Sequence, residues 1–405
     1  MPLRIYPKVG IYFSHYECFG HTSRVMAVGE VFKNRFPDGN LFFIQAGVQQ
    51  LKAKIDELGP VFTLPGLLMD RRHFREKMSG GGGDAGDRNQ RCLDIIARQK
   101  PDLFITEFFP LGHEECRYEL MASLIKTSTQ GIALWAVAGY PLLTGVDHEW
   151  RQKVLKLYQK IIIFSPSSEK ELVAASFTRA LDRKKYLDFF EKYKDKIVFA
   201  GYLLPHREVV RDDEDENLPR PNYPKGACRV AIMRGGGAVY PKVIAEAILA
   251  SDLLGKEYYL TVVAGPATTS QEWFLFSTLA RKKRVNNLVL LRSLGNYEGL
   301  IKESDVCVSG AGYNTSVMLL KHQKKSVIIP FEGYGSMSFY EQPARAVMLK
   351  EMIGAKILPI HHLTASALAA AIKDAACHES RSQVSKEWFS GGDVLDKALI
   401  GLFGR

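Results

Sequence analysis

"SGAGYNTSVMLL", residues 309–320, is the stretch whose reading decides the fold. The apolar run "DVCV" at 305–308 leads into it, and Val317, Leu319 and Leu320 follow at helical spacing. Between strand and helix, Gly310, Ala311 and Gly312 leave almost no side chain at the corner. Glycine reaches backbone angles closed to other residues and lets another group approach the main chain. The first turn of a helix leaves amide donors facing outward. Such a corner seats an anion or a sugar hydroxyl, or it is a tight turn with no ligand.

Working outward, the same alternation recurs on both sides. Towards the N-terminus "VGIYFSH", "NLFFIQA", "PDLFITEFF", "GIALWAVA", "KIIIFSP" and "KIVFAGYL" read as strands, with helical patterns such as Ser23 to Lys33, "RCLDIIARQ" and "EECRYELMASLIK" among them. After 227 the order restarts with "CRVAIMRGGG", "YPKVIAEAILASDLL", "EYYLTVVAG", "NLVLLRSL", "YEGLIKES", "DVCVSGAG", "KSVIIPF" and "EQPARAVMLKEMIG". Apolar strands separated by helix-length segments predict parallel sheets with helices on both faces. The stretch 207–227 is acidic, bears proline and has no period, which suits a linker. The expected organisation is α/β, with one doubly wound Rossmann-like domain at 1–206 and a second at 228–385, facing across a cleft. A terminal helix at 386–405 would cross back towards the first domain. In such sheets ligands bind beyond the carboxyl ends of the strands.

Composition narrows the class. The 405 residues are 46% hydrophobic and 24% charged, an ordinary globular balance. No apolar run reaches bilayer length and the N-terminus lacks a signal-peptide core, so a cytoplasmic location is expected. The six cysteines are scattered with no C-x-x-C pair, giving neither a disulfide framework nor a zinc site. His113 and Cys116 lack a second ligand pair, and no metal is expected. A formal net charge of +10 favours anionic partners: a nucleotide, or weak peripheral association with an anionic membrane surface. Nucleic-acid module signatures are absent, and no nucleic-acid partner is expected. The basic "RKKR" at 281–284 and the acidic run at 212–216 read as solvated charge.

Four clusters at strand ends carry the candidate chemistry. "FGHTSR" opens the first helix, where His21 is either a base towards a ligand in the cleft or a helix cap. "RGGGA" places Gly235, Gly236 and Gly237 where backbone approaches a pyrophosphate, with Arg234 adding positive charge. It is not the G-x-G-x-x-G fingerprint, which argues against a nicotinamide dinucleotide. The opening stretch is the third cluster. The fourth, "YEQPARA", sets Glu341 and Gln342 at a helix start, where they accept from vicinal hydroxyls or complement the helix dipole. Glu107 ends the "DLFITE" strand and is the alternative cleft acid. The glycine run at 79–87 has no preceding strand and reads as a loop over the cleft mouth.

With these motifs in this order, the chain resembles the GT-B glycosyltransferases. It is most similar to the group around glycosyltransferase family 28, which includes the lipid-linked N-acetylglucosaminyltransferase of peptidoglycan synthesis. The similarity is strongest over 229–353, and "FSHYECFGHTSR" resembles the family's first loop. The resemblance implies transfer of a hexosyl or N-acetylhexosaminyl group from a nucleoside-diphosphate sugar to a glycan, lipid-linked or small acceptor. The nucleotide sugar is a co-substrate, with no further cofactor and no metal. The diphosphate would lie near Gly235, Gly236 and Gly237. Sugar or phosphate contacts would fall near Gly310, Gly312, Asn314 and Thr315 and at Glu341 and Gln342. His21 becomes the leading acceptor-facing base. The sequence departs from the family at three places: only Gly20 precedes His21, Met318 stands where an acid grips the ribose, and the Arg-Asp pair after "LWAVAGYP" is missing. Water in place of the acceptor would make the same scaffold a nucleotide-sugar hydrolase. A cleft acid in that place would give an epimerase, and absent chemistry would leave a binding scaffold.

Overall fold

The computed structural model describes residues 6–15, 20–47, 55–64, 67–69, 76–78, 85–112, 116–139, 148–177, 180–205, 223–235, 240–283, 286–331, 338–378 and 384–404. In the first half, β1 (Lys8–His15) leads to α1 (Gly20–Arg35), β2 (Asn40–Gly47), β3 (Val61–Leu64) and the strands β4 (Leu67–Met69) and β5 (Glu76–Met78). Then come α2 (Ala85–Gln99), β6 (Leu103–Glu107), α3 (Arg117–Thr129), β7 (Ala133–Ala138) and α4 (Glu149–Leu155). The half closes with β8 (Lys160–Ile163), α5 (Ser168–Ser176), α6 (Ala180–Lys192) and β9 (Ile197–Phe199). Its main sheet has seven strands in the order β3-β2-β1-β6-β7-β8-β9, all paired in parallel, while β4 and β5 form a small antiparallel pair. The helices cover both faces, so the central strands β6 and β7 are buried at every position. A continuous apolar sequence is what a strand shielded on two sides requires.

The second half repeats the plan. Its elements are β10 (Cys228–Met233), α7 (Pro241–Leu254), β11 (Tyr258–Val263), α8 (Ser270–Lys283), β12 (Leu288–Leu291) and α9 (Tyr297–Glu303). They continue with β13 (Val306–Ser309), α10 (Tyr313–Lys321), β14 (Lys325–Ile328), α11 (Ser338–Ile353), β15 (Lys356–Ile357) and α12 (Ala365–Cys377). The six strands run β12-β11-β10-β13-β14-β15, again all parallel. The strand order reverses between β1 and β6 in the first sheet and between β10 and β13 in the second. These crevices are where a doubly wound sheet binds its ligands; the candidate residues end or follow these four strands, except Glu341 and Gln342, which follow β14.

The closing helix α13 (Gly391–Phe403) packs on α1. Arg35 donates to Asp396 at 2.6 Å, and Phe36 meets Phe403 edge-on at 5.6 Å. Most of the 207–227 stretch, the loop at 79–84, His113, Gly236 and Gly237 lie outside the described residues. One apolar cluster joins residues of both halves, including Val25, Phe164, Tyr313 and Leu349. Among the described residues no helix is long and apolar enough to cross a membrane.

Candidate active site

β1 ends at His15 and α1 starts at Gly20, so the first helix begins at the carboxyl edge of its sheet. His21 stands in its first turn, and Glu107 is the last residue of the adjacent β6. The crossovers bring these two together: His21 Nδ1 lies 2.8 and 2.9 Å from the two carboxylate oxygens of Glu107. An ionised carboxylate only accepts, so Nδ1 carries the proton and donates, and Nε2 is left as the acceptor. The ring is 17% exposed and meets Phe108 at 5.6 Å, whereas the Glu107 carboxylate is fully buried. The imidazole is therefore turned to the neighbouring strand rather than serving only as a helix cap.

Arg24, one helical turn beyond His21, is buried and donates through Nη1 to Oε1 of the same carboxylate. Gly139 at the end of β7 makes this possible, because a Cβ there would stand 2.3 Å from Arg24 Nη2. A buried carboxylate held by two donors is stable as an anion. Deprived of its partners it would be an uncompensated buried charge costing several kcal/mol.

The second half faces this group with its β13–α10 corner. Gly312 caps α10 in extended geometry without a side-chain bond, and the space a Cβ would occupy at Gly312 is open. Thr315 is half-buried, and Asn314 Oδ1 is buried with no hydrogen-bond partner among the described residues. An orphaned acceptor beside outward-facing amides is what a hydroxyl-bearing ligand would satisfy. Tyr313 reaches into the first half, where its hydroxyl donates to the Phe164 carbonyl at 2.7 Å and accepts from Leu203 N at 3.2 Å. Arg24 Cζ lies 4.8 Å from its ring centroid and Arg345 Cζ 5.9 Å.

Glu341 pairs with Arg345 Nη2 at 2.6 Å, and Arg345 Nη1 donates to the Ala311 carbonyl. Burial pushes the Glu341 carboxyl up, but Arg345, with His21 and Arg24 from the first half, outweighs it and holds the group below its usual range. Arg24 and Arg345 both lie over the Tyr313 ring, which brings the fourth sequence cluster to the first. Gln342 Oε1 accepts from Ala311 N at 3.0 Å and Phe331 N at 2.9 Å, tying the glycine corner to the end of β14 and leaving its NH2 group to offer. Gly310 lies against that amide, its Cβ position 3.3 Å from Gln342 Oε1. Met318 is half-buried against the shared core.

After β10, Arg234 is paired within its own half. Its guanidinium side chain, 1% exposed, donates to Glu272 at 3.2 and 3.3 Å. Burial pushes Glu272 up, and the Arg234 bond together with the Thr269 amide more than offsets it, holding the carboxyl low. Thr269 and Glu272 exchange bonds at the start of α8, a capping box. Gly235 has φ +85°, and a Cβ on Gly265, itself at φ +95°, would stand 2.4 Å from the Gly235 carbonyl oxygen. Both positions need glycine. Arg24, Gly139, Gly265, Glu272 and Tyr313 were not singled out from the sequence. Arg24 and Tyr313 lie inside the motifs "FGHTSR" and "SGAGYNTSVMLL", but the signal for their roles is in partners distant along the chain.

This is the GT-B arrangement: two doubly wound halves whose ligand edges meet. No family model matches the chain. An uncharacterized glycosyltransferase of Methanosarcina mazei is 22% identical over 363 residues, 82% of this chain and 86% of the relative. Acinetobacter baumannii MurG superposes with a TM-score of 0.55 at 13% identity, covering 96% of this chain and 99% of MurG. A putative UDP-N-acetylglucosamine 2-epimerase from Listeria monocytogenes gives 0.58 at 12%, covering 98% and 97%. At such identities the structural likeness is one of fold, and it agrees with the GT-B fold expected from the motifs.

Proposed function

We propose that the protein transfers a sugar from a nucleoside-diphosphate sugar to an acceptor hydroxyl. The observation that carries this is the His21–Glu107 pair set against an open, amide-lined glycine corner on the other half. His21 Nε2, the ring nitrogen opposite the one bonded to Glu107, takes the proton of the acceptor hydroxyl. The acceptor oxygen bonds to the anomeric carbon as the bond from that carbon to the diphosphate oxygen breaks, and the nucleoside diphosphate departs. Glu107 holds the tautomer and stabilises the imidazolium that forms. Attack on the face opposite the leaving group inverts the anomeric centre. The diphosphate's charge is met by backbone amides at the first turn of α10 and at Gly235, without an obligatory metal.

Thermal-shift screening of UDP-, GDP- and dTDP-sugars identifies the donor, since a ligand of the native state raises its stability. Release of free nucleotide is then followed with and without acceptors, in the presence of a chelator. Acceptor-dependent release supports transfer. Release without acceptor supports hydrolysis, and interconversion of the sugar without release supports epimerisation. For epimerisation the specific feature is a second carboxylate, Glu341, held by Arg345 beside Tyr313 at the same cleft. Binding without any turnover would reject catalysis.

A further inference from the structure

His21 is not alone with its carboxylate. Glu107 accepts from His21 and from Arg24 at once, and Oε1 is common to both. Arg24 in turn lies against a residue of the other half, the ring of Tyr313. Arg24 Nε is buried without a hydrogen-bond partner among the described residues, so the aromatic face and the Gly139 gap keep the guanidinium plane in place. Tyr313 is the first residue of α10, directly after the open Gly312.

We infer that Arg24 is a positioning residue that sets the basicity of His21, by sharing Glu107 with it, and holds that setting in register with the donor-side corner through Tyr313. This rests on the reading of His21 as the base. The electrostatics run in one direction. A permanent cation on Glu107 cancels most of the charge that would otherwise retain a proton on the imidazole. His21 then remains neutral, and available as a base, at lower pH than beside an unshared carboxylate. Among the described residues, the charged groups facing His21 are Glu107 from β6, Arg24 from its own helix and Glu341 from α11. Glu341 is anionic and itself paired with Arg345. Arg24 is therefore the cation closest to the shared carboxylate, and its removal leaves two acids acting on one imidazole.

The test measures His21 titration by NMR of isotope-labelled histidine, with His21→Gln assigning the signal, in the wild type, Arg24→Met and Arg24→Lys. It is paired with pH profiles of kcat/KM. In Arg24→Met the His21 pKa is expected to rise by about one to two units. The acid limb of kcat/KM moves up with it, so activity lost near neutral pH returns at alkaline pH. Arg24→Lys retains the charge without the planar face and is expected to shift His21 less than half as far. An unmoved His21 titration with activity depressed equally at every pH would overturn the inference and leave the base reading intact. A shifted titration in a protein with no turnover on any donor and acceptor pair would uphold the role of Arg24 and reject the base reading. If Arg24→Met does not fold, Arg24→Gln, which removes the charge but can still donate to Glu107, decides on the same two readouts: no shift in either overturns the inference.

Discussion

The two ligand edges of this molecule are built on one topology and equipped in opposite ways. At the first, between β1 and β6, ionisable side chains converge on each other and on the cleft: His21 and Arg24 on the fully buried Glu107. At the second, between β10 and β13, the charged side chains are drawn into pairs of their own, Arg234 with Glu272 and Arg345 with Glu341. What that edge presents is main chain, at Gly235 and at the open Gly312. The difference teaches a division of labour. A proton-transfer group needs a tuned side chain with a fixed tautomer, whereas a diphosphate is well served by backbone amides and a helix N-terminus that never titrate.

Two changes test that division directly. His21→Ala should cut turnover by roughly a hundredfold or more with donor affinity nearly unchanged. Steady-state kinetics beside nucleotide titration would show it, and a parallel loss of binding would erase the contrast between the edges. Gly265→Ala should do the reverse. Its Cβ collides with the Gly235 carbonyl oxygen, so donor affinity should fall by about tenfold, equivalent to about 1.4 kcal/mol, while the pH profile keeps its shape. Calorimetric binding alongside that profile is the check.

The smallest effect concerns the seam behind both edges. Glu169 on α5 is buried, accepts from the Tyr202 hydroxyl and lies in the field of Arg345; burial pushes its carboxyl up to about 7. A raised folded-state value means that the stability contributed by neutral Glu169 is full below the unfolded value, near 4.5, and is lost as pH rises through about 7. Glu169→Gln should flatten the fall of Tm over that window and leave catalysis at its optimum unaltered. An unchanged Tm slope would place the titrating group elsewhere.

The doubly wound plan was legible because buried strands must be continuously apolar and their crossovers helical. The candidate site was legible residue by residue but not pair by pair. His21 and Glu107 each stood out at a strand end, as alternatives; 86 positions separate them, and only the parallel crossovers make them partners. The pairing of Arg234 with Glu272 is not legible, because Glu272 lies on α8, a helix whose apolar period is blurred by the exposed Phe274 and Leu275. Gln342 was read as a hydroxyl acceptor, and no local pattern signals that its oxygen is taken by two distant amides. Tyr313 stands at the strand-to-helix corner with no local sign that its hydroxyl is bonded within the other half.

The packing of α13 on α1 has a consequence for biosynthesis. Arg35 and Asp396 are 361 positions apart, so at ordinary translation speeds α1 waits roughly 20 to 70 seconds for the helix that covers it. During that interval the outer side of α1, with Phe36 unpartnered by Phe403, is open to chaperones and to other nascent chains. A ribosome that stalls before Gly391 therefore injures a helix it finished hundreds of residues earlier.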